Sequence, residues 1–234
     1  MQDSDPAAGL PLRFDGFMVA VGGAPVDPEL LRRLSGAGGH LVGADGGGDV
    51  IAAAGLRPEA IIGDLDSLAD PAAWAGVTRL IQLEEQETTD FEKVLYSTTA
   101  PVTVALGMTG NRLDHTLAVI DTVTRHARNR NIVLVDETDL ALAVTGSFAF
   151  QVRPGERVSI HPLGLVAFDA SEGLQYPLEG LTLVPGLRTG TSNVATNGAF
   201  SITPQPGQAP WLLILARHHL PRIIAAVLTR RAGP

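Results

Sequence analysis

The sequence predicts an α/β protein: an N-terminal domain with a mostly parallel sheet, followed by a C-terminal antiparallel β-sandwich. Three features carry this prediction. Apolar strand-like runs alternate with helical patterns up to about residue 139; beyond it the period shortens to alternating runs broken by Gly, Pro and Asn; and acidic or glycine-rich clusters recur just after the apolar runs of the first half.

After a loose start through about Gly16, "FMVAVGG" reads as a buried strand and "DPELLRRL" as a helix opened by Asp-Pro. "HLVGADGGG" is a strand running into glycines, and "DVIAAAG" a short helix closed by Gly55. "AIIGD" and "VTRLIQL" are strands, "TTDFEKVLYS" a helix, "PVTVALG" a strand, "RLDHTLAVIDTVTRHA" a helix and "NIVLVDE" a strand. Such alternation implies right-handed crossovers and helices on both sheet faces, with functional groups at the carboxyl ends of the strands. From Asp139 onward "LALAVTG", "FAFQV", "RVSIHPL", "LTLVPG", "TSNVAT", "AFSITP" and "WLLILA" read as antiparallel strands, and "LPRIIAAVLTRR" as a closing helix whose terminal arginines suit its dipole. The expected divisions are 17–139 for the α/β domain, 140–217 for the β-sandwich and 218–234 for the closing helix.

Composition narrows the function. Seventeen basic residues stand against 25 acidic ones, a formal net charge of −8, so nucleic acid is not the expected partner. The chain has no cysteine, which removes disulfides, thiolate metal sites and Cys nucleophiles. No run approaches the ~18 apolar residues of a membrane span, and the first sixteen residues carry three Asp without a basic start. A cytoplasmic protein without a membrane partner is expected.

Two aspartates one residue apart, Asp64 and Asp66 in "GDLDS", follow the "AIIG" strand. In extended backbone, residues i and i+2 share a face, where two carboxylates repel unless a cation lies between them. Acidic clusters with no Cys and no His pair at metal spacing select a hard cation such as Mg²⁺, which bridges carboxylates to phosphates. Glycines 46–48 follow Asp45 and leave backbone amides open to an anion, or simply make a tight strand-to-helix turn. In "TTDFEKVL", Thr89 and Glu92 form a capping-box pattern, placing Asp90 and Lys93 on one helix face. Sixteen of the 17 basic residues are Arg, so Lys93, the sole lysine, is either half of a surface ion pair or a point charge that follows a phosphate. Arg112 opens the next helix, a position that favours an anion to hold; Asp114 and His115 follow, His115 being either a hydrogen-bonded structural group or a base.

The ordered set "DGG" at Asp45, "GDLDS" to Ser67, "TDFEK" to Lys93, "GNRLDH" to His115, "GLQYPLEG" from Gly173 and "GTSN" from Gly190 resembles the thiamine pyrophosphokinases over Phe17 to Leu213. The resemblance implies pyrophosphoryl transfer from ATP to thiamine with release of AMP, in a homodimer with sites between subunits. It implies Mg²⁺ at Asp64, Asp66 and Asp90, and catalytic roles for these together with Lys93 and Arg112. Nucleotide and phosphate contacts are implied at Asp45, Gly46, Gly47, Ser67, Arg112, Asp114 and His115, and thiamine contacts at Gln86, Tyr176, Ser192 and Asn193. The chain departs from the family pattern at Gln86 and Glu87, where Lys-Asp is usual in bacteria, at Asn111 in place of Gly, and at Val119 in place of Asn. After Glu179 there are five arginines and no acid, so cationic thiamine has no carboxylate cluster there; Tyr176 is either an aromatic face for it or a core or interface tyrosine. Two alternatives stay open: a pyrophosphokinase for another heterocyclic alcohol of hydroxymethylpterin type, and an inactive sensor of thiamine or nucleotide.

Overall fold

The computed structural model describes residues 9–231. In chain order the elements are β1 (Leu12–Arg13), β2 (Phe17–Val21), α1 (Pro28–Gly36), β3 (His40–Ala44), α2 (Gly47–Ala53), β4 (Ala60–Gly63), β5 (Arg79–Gln82), α3 (Asp90–Ser97), β6 (Thr98–Thr99), β7 (Val102–Leu106), α4 (Leu113–His126) and β8 (Ile132–Val135). There follow β9 (Asp139–Val144), β10 (Phe148–Gln151), β11 (Arg157–Pro162), β12 (Val166–Glu172), β13 (Thr182–Leu183), β14 (Gly190–Val194), β15 (Ala199–Pro204), β16 (Trp211–Ala216) and α5 (Leu220–Arg231). The contacts divide the chain into two units: one takes residues up to 122, 134–137 and 224 onward, the other 123–133 and 138–223.

In the first unit, parallel strands lie in the order β7-β2-β3-β4-β5, as the alternating pattern predicts. β2, β4 and β7 are buried along their whole length, which is why they read as continuous apolar runs. The order steps outward from β2 to β5 and then returns to the far side of β2 with β7. The switch point therefore lies between β2 and β7, where Gly22 and Gly107 follow the strand ends and pack so closely that a Cβ on Gly22 would stand 2.4 Å from the Gly107 carbonyl oxygen. Asp27 caps α1 by accepting the Glu29 amide, with Leu30, Leu31 and Leu34 turned inward. Thr89 caps α3 by accepting the Glu92 amide, and Phe91 and Leu95 enter the core as the capping pattern predicts.

Two sequence expectations need correction here. The start is not loose from residue 9: β1 pairs in parallel with β6, Leu12 opposite Thr98; the earlier residues of that expectation lie outside the described part. The glycines after Asp45 are not a turn ahead of the helix, because Gly47 and Gly48 form its first turn. A Cβ on Gly47 would stand 1.7 Å from the Val21 carbonyl oxygen and one on Gly48 2.5 Å from Ile61 Cδ1, so close packing of α2 on the sheet is what requires them.

In the second unit the antiparallel strands form β14-β11-β16-β9 and a separate four-stranded sheet, β10-β15-β12-β13. Phe168 on β12 meets the fully buried Trp211 on β16 edge-on, with ring centroids 6.3 Å apart, so the two sheets share a core. Strand β12 has no counterpart in the sequence reading. Its pairing with β15 shifts register between Phe168 and Ala170, and this bulge breaks the period-two pattern that marks a strand.

Candidate active site

Asp45 and Asp64 directly follow the adjacent parallel strands β3 and β4, which explains their convergence. The Asp45 amide continues the ladder by donating to the Ile62 carbonyl. The proposed geometry of Asp64 and Asp66 as neighbours on extended backbone fails: β4 ends at Gly63, and Leu65 between them lies in the left-handed region at φ 67°. The turn still unites them, since Leu65 packs against the Ile61, Leu68 and Trp74 cluster and anchors the reversal. Carboxylate oxygens of Asp45, Asp64 and Asp66 all lie within 4.8 Å of one another. Among the described residues three non-glycine ones have positive φ, Asp45, Leu65 and Ser192, and each belongs to a predicted site motif.

Hydrogen bonds hold these carboxylates from behind. The Ser67 amide donates to Asp45 Oδ2 at 3.1 Å and its hydroxyl to Asp66 Oδ1 at 2.9 Å. Gln86 Nε2 donates to Asp64 Oδ2 at 3.0 Å, so the glutamine proposed for thiamine orients a carboxylate here. Asp45 Oδ1 is buried and has no hydrogen-bond partner among the described residues. Burial, together with the charges of Asp90 and Asp64, raises the Asp45 carboxyl above the ordinary aspartate range, against the pull of Ser67. Burial likewise raises Asp90, opposed by Lys93, whereas the Gln86 hydrogen bond lowers Asp64.

Lys93 is no surface ion pair. Its side chain is 2% exposed, and Nζ lies 3.2 Å from Asp90 Oδ1 and 4.0 Å from Asp64 Oδ2. The ammonium thus reaches two carboxylates while Asp45 and Asp66 converge on Asp64 as well, an imbalance that a divalent cation corrects. The donor set fits Mg²⁺: all-oxygen ligands, partly open to water, one of them buried without a partner. The trio that closes around a common point contains Asp45, with Asp90 set back against Lys93.

Asp45, Asp64, Asp90 and Lys93 line a cleft of 640 Å³ at the switch point, together with Gly22, Gly107, Met108, Asn111, Arg112, His115 and Val119. Arg112 already has its anion, for Nε and a terminal nitrogen reach Asp114 at 3.1 and 2.6 Å. Asp114 also accepts the His115 amide, so the three form one exposed cap at the start of α4. Val119 is buried and presents an apolar wall. Asp49 also lines the cleft, and the sequence reading missed it: its carboxylate accepts the Ala69 amide and Trp74 Nε1, pinning the loop that follows the acidic turn. Its helical neighbours "VIAAA" gave it no signal beyond an ordinary first-turn acid.

Tyr176, Ser192 and Asn193 belong to the second unit. Asn193 is buried, accepts the Tyr176 and Val194 amides, and donates to the Tyr176 carbonyl at 2.7 Å. Its amide is therefore spent on holding Tyr176, whose ring is 59% exposed and so is not a core tyrosine. Ser192 is exposed, and its amide donates to Ser159 Oγ.

A parallel sheet with clustered carboxylates and a buried lysine at its switch-point cleft has the chemistry to hold a divalent cation and a phosphate-bearing ligand. Residues 32–135 match the family model described as thiamin pyrophosphokinase, catalytic domain. Over that stretch the chain is similar to the thiamin pyrophosphokinase family. In fold it is similar to the thiamin pyrophosphokinase of Geobacillus thermodenitrificans, at 24% identity over 86% of this chain and 97% of that one, with a TM-score of 0.71. The yeast enzyme aligns at 16% identity over 89% and 92%, TM-score 0.71, and that of Candida albicans at 12% over 88% and 93%, TM-score 0.71. Among curated protein sequences none matches the chain.

Proposed function

We propose that the chain is a thiamine diphosphokinase, which transfers the pyrophosphoryl group of ATP to the primary hydroxyl of thiamine and releases AMP. The observation that carries this reading is the cleft: Asp45, Asp64 and Asp66 converge beside buried Lys93, all within the segment that matches the family's catalytic domain. The hydroxyl oxygen attacks the β-phosphorus of ATP and the bond from that phosphorus to the α,β-bridging oxygen breaks. Positioning and charge neutralisation do most of the catalysis in such a transfer. Asp45, Asp64 and Asp66 would hold Mg²⁺, with Asp90 adjoining, and the ion would supply charge neutralisation on the phosphates. Lys93, fixed between Asp64 and Asp90, is the point charge nearest the transferred group. Ser67 and Gln86 orient the carboxylates, and Gly46, Arg112, Asp114 and His115 form the rim facing the nucleotide.

The protein acts as a cytoplasmic homodimer, with the Tyr176 edge of one subunit facing the acidic cleft of the other. Supporting this are the acid-free sequence after Glu179, which contains Ser192 and Asn193, the exposed Tyr176 ring, and Leu113 and Leu117, exposed one turn apart on the helix that rims the cleft. Among the described residues no helix is long and apolar enough to cross a membrane. Incubation with Mg²⁺, ATP and thiamine, followed by chromatography of the nucleotides, tests the reading. AMP and thiamine diphosphate in equal amounts are expected. ADP, AMP formed only with a hydroxymethylpterin, or ligand binding without turnover would each overturn it.

A further inference from the structure

Outside the cleft, the second unit contains another group with metal-ligand chemistry: Glu156, His218 and His219 each offer a ligand atom within 4.8 Å of the others. His219 Nε2 lies 2.7 Å from Glu156 Oε2 and His218 Nε2 3.5 Å from Glu156 Oε1, with the imidazole centroids 4.1 Å apart. Sheet register brings them together. β11 and β16 pair with Ser159 opposite Ile214, and continuing that antiparallel register by three residues sets Glu156 opposite Arg217, beside the histidine pair.

The group is supported on its inner side. Glu156 Oε2 accepts the Arg153 amide at 3.0 Å, which fixes the carboxylate plane. His219, only 4% exposed, stands edge-on against Phe150, and the Arg222 guanidinium lies over that same Phe150 ring at 4.9 Å. Exposed His218 leaves the outer side open to water.

We propose that Glu156, His218 and His219 form a binding site for a borderline transition-metal ion such as Zn²⁺, separate from the acidic cleft and opposite to it in selectivity. Two imidazoles and one carboxylate suit Zn²⁺, Co²⁺, Ni²⁺ or Cu²⁺, whereas the all-carboxylate cleft suits Mg²⁺. The ligands are held within about an ångström or two of the spacing that Zn–N bonds of roughly 2.0–2.1 Å require. On binding, the ring proton of His219 leaves Nε2 for Nδ1, and water completes the coordination. The ion ties the turn before β11 to the segment after β16.

Calorimetric titration of the chelator-stripped full chain with Zn²⁺, in excess Mg²⁺ to occupy the cleft, tests the site. One equivalent should bind to the parent and equally to Asp64→Asn. His218→Ala, at an exposed position that the fold does not need, and Glu156→Gln should each weaken binding by at least about tenfold. With Co²⁺ as probe, a visible d–d band should appear in the parent and vanish in His218→Ala. Absence of Zn²⁺ binding by the parent, unchanged affinity in both variants, or loss of binding in Asp64→Asn alone would overturn the proposal and leave the trio as a hydrogen-bonded lock.

Discussion

The acidic cleft of the first unit and the Tyr176 edge of the second are both built on residues with unusual backbone, yet they treat their polar atoms in opposite ways. In the cleft, Asp45 Oδ1 is buried without a partner among the described residues, burial raises the Asp45 and Asp90 carboxyls, and the one ammonium reaches only Asp64 and Asp90. At the edge, the amide of Asn193 is consumed by Tyr176 and Val194. A frustrated cluster awaits a charged ligand, and folding tolerates the cost because the surrounding strands fix it. A satisfied cluster offers shape, presenting an aromatic ring in one position.

This contrast breaks first at the carboxylates. Asp64→Asn and Asp66→Asn should each lower kcat at saturating Mg²⁺ on the order of a thousandfold or more with the fold intact by circular dichroism. Asp45→Asn should also abolish turnover while raising the Tm of the metal-free protein by about 2–4 °C, because it removes a buried charge of which only one oxygen accepts a hydrogen bond. The sign follows from the raised carboxyl: a group whose folded pKa lies above its unfolded value destabilises the fold once pH rises past the unfolded value. Near-normal turnover in the Asp64 or Asp66 variant, or a lower Tm in the Asp45 variant, would remove the distinction between the two regions.

Lys93→Arg comes next, with an expected loss of about ten- to a hundredfold in kcat. The ammonium is packed between two carboxylates, and the broader guanidinium keeps the charge but not the geometry. Unchanged steady-state kinetics would show that its burial serves the fold alone.

The order of motifs along the chain was enough to locate the cleft, because parallel strands deliver every post-strand residue to one edge. The local geometry was not legible. Leu65 carries no mark of left-handed backbone, so the Asp64–Asp66 pair was assigned to extended chain; its true basis is a reversal anchored by Leu65 in a tertiary cluster. Lys93 reads as surface on a helical wheel because its burial comes from the neighbouring strands and loop. Asn193 reads as a ligand contact because nothing local shows that a loop seventeen residues earlier uses its amide. In each case the deciding partner is distant in sequence.

At the edge the expected effect is smaller and of another kind. Asn193→Ala should raise KM for thiamine about tenfold with little change in kcat, since it frees Tyr176 without touching the phosphates, and should cost roughly 1–3 kcal/mol of stability through unpaired backbone groups. Mixed with Asp66→Asn under conditions of subunit exchange, at low thiamine, it should give more activity than the two alone, because heterodimers carry one site with neither defect. No gain despite verified exchange would place both groups in a site within one subunit.

The smallest effect lies on the loop that carries Gln86 to the cleft. Glu85 accepts the Glu87 and Thr88 amides, the Thr88 hydroxyl and the Tyr96 hydroxyl. The Thr88 hydroxyl leads in lowering its carboxyl to about 2, while burial and Glu85 together push the Tyr96 phenol up to about 12. A carboxyl depressed in the fold contributes stability above its unfolded value near 4.5 and loses it as pH falls toward 2. Glu85→Gln should therefore flatten the fall in Tm between about pH 4.5 and 2 and lower Tm slightly at neutral pH, with a further rise in KM if the loop positions Gln86 against Asp64. The group is largely exposed, so solvent screens the effect and a shift of a few degrees at most is expected. An acid limb identical to that of the parent would show that the loop's hydrogen bonds do not hold in solution, and that Asp64 is oriented from within its own turn.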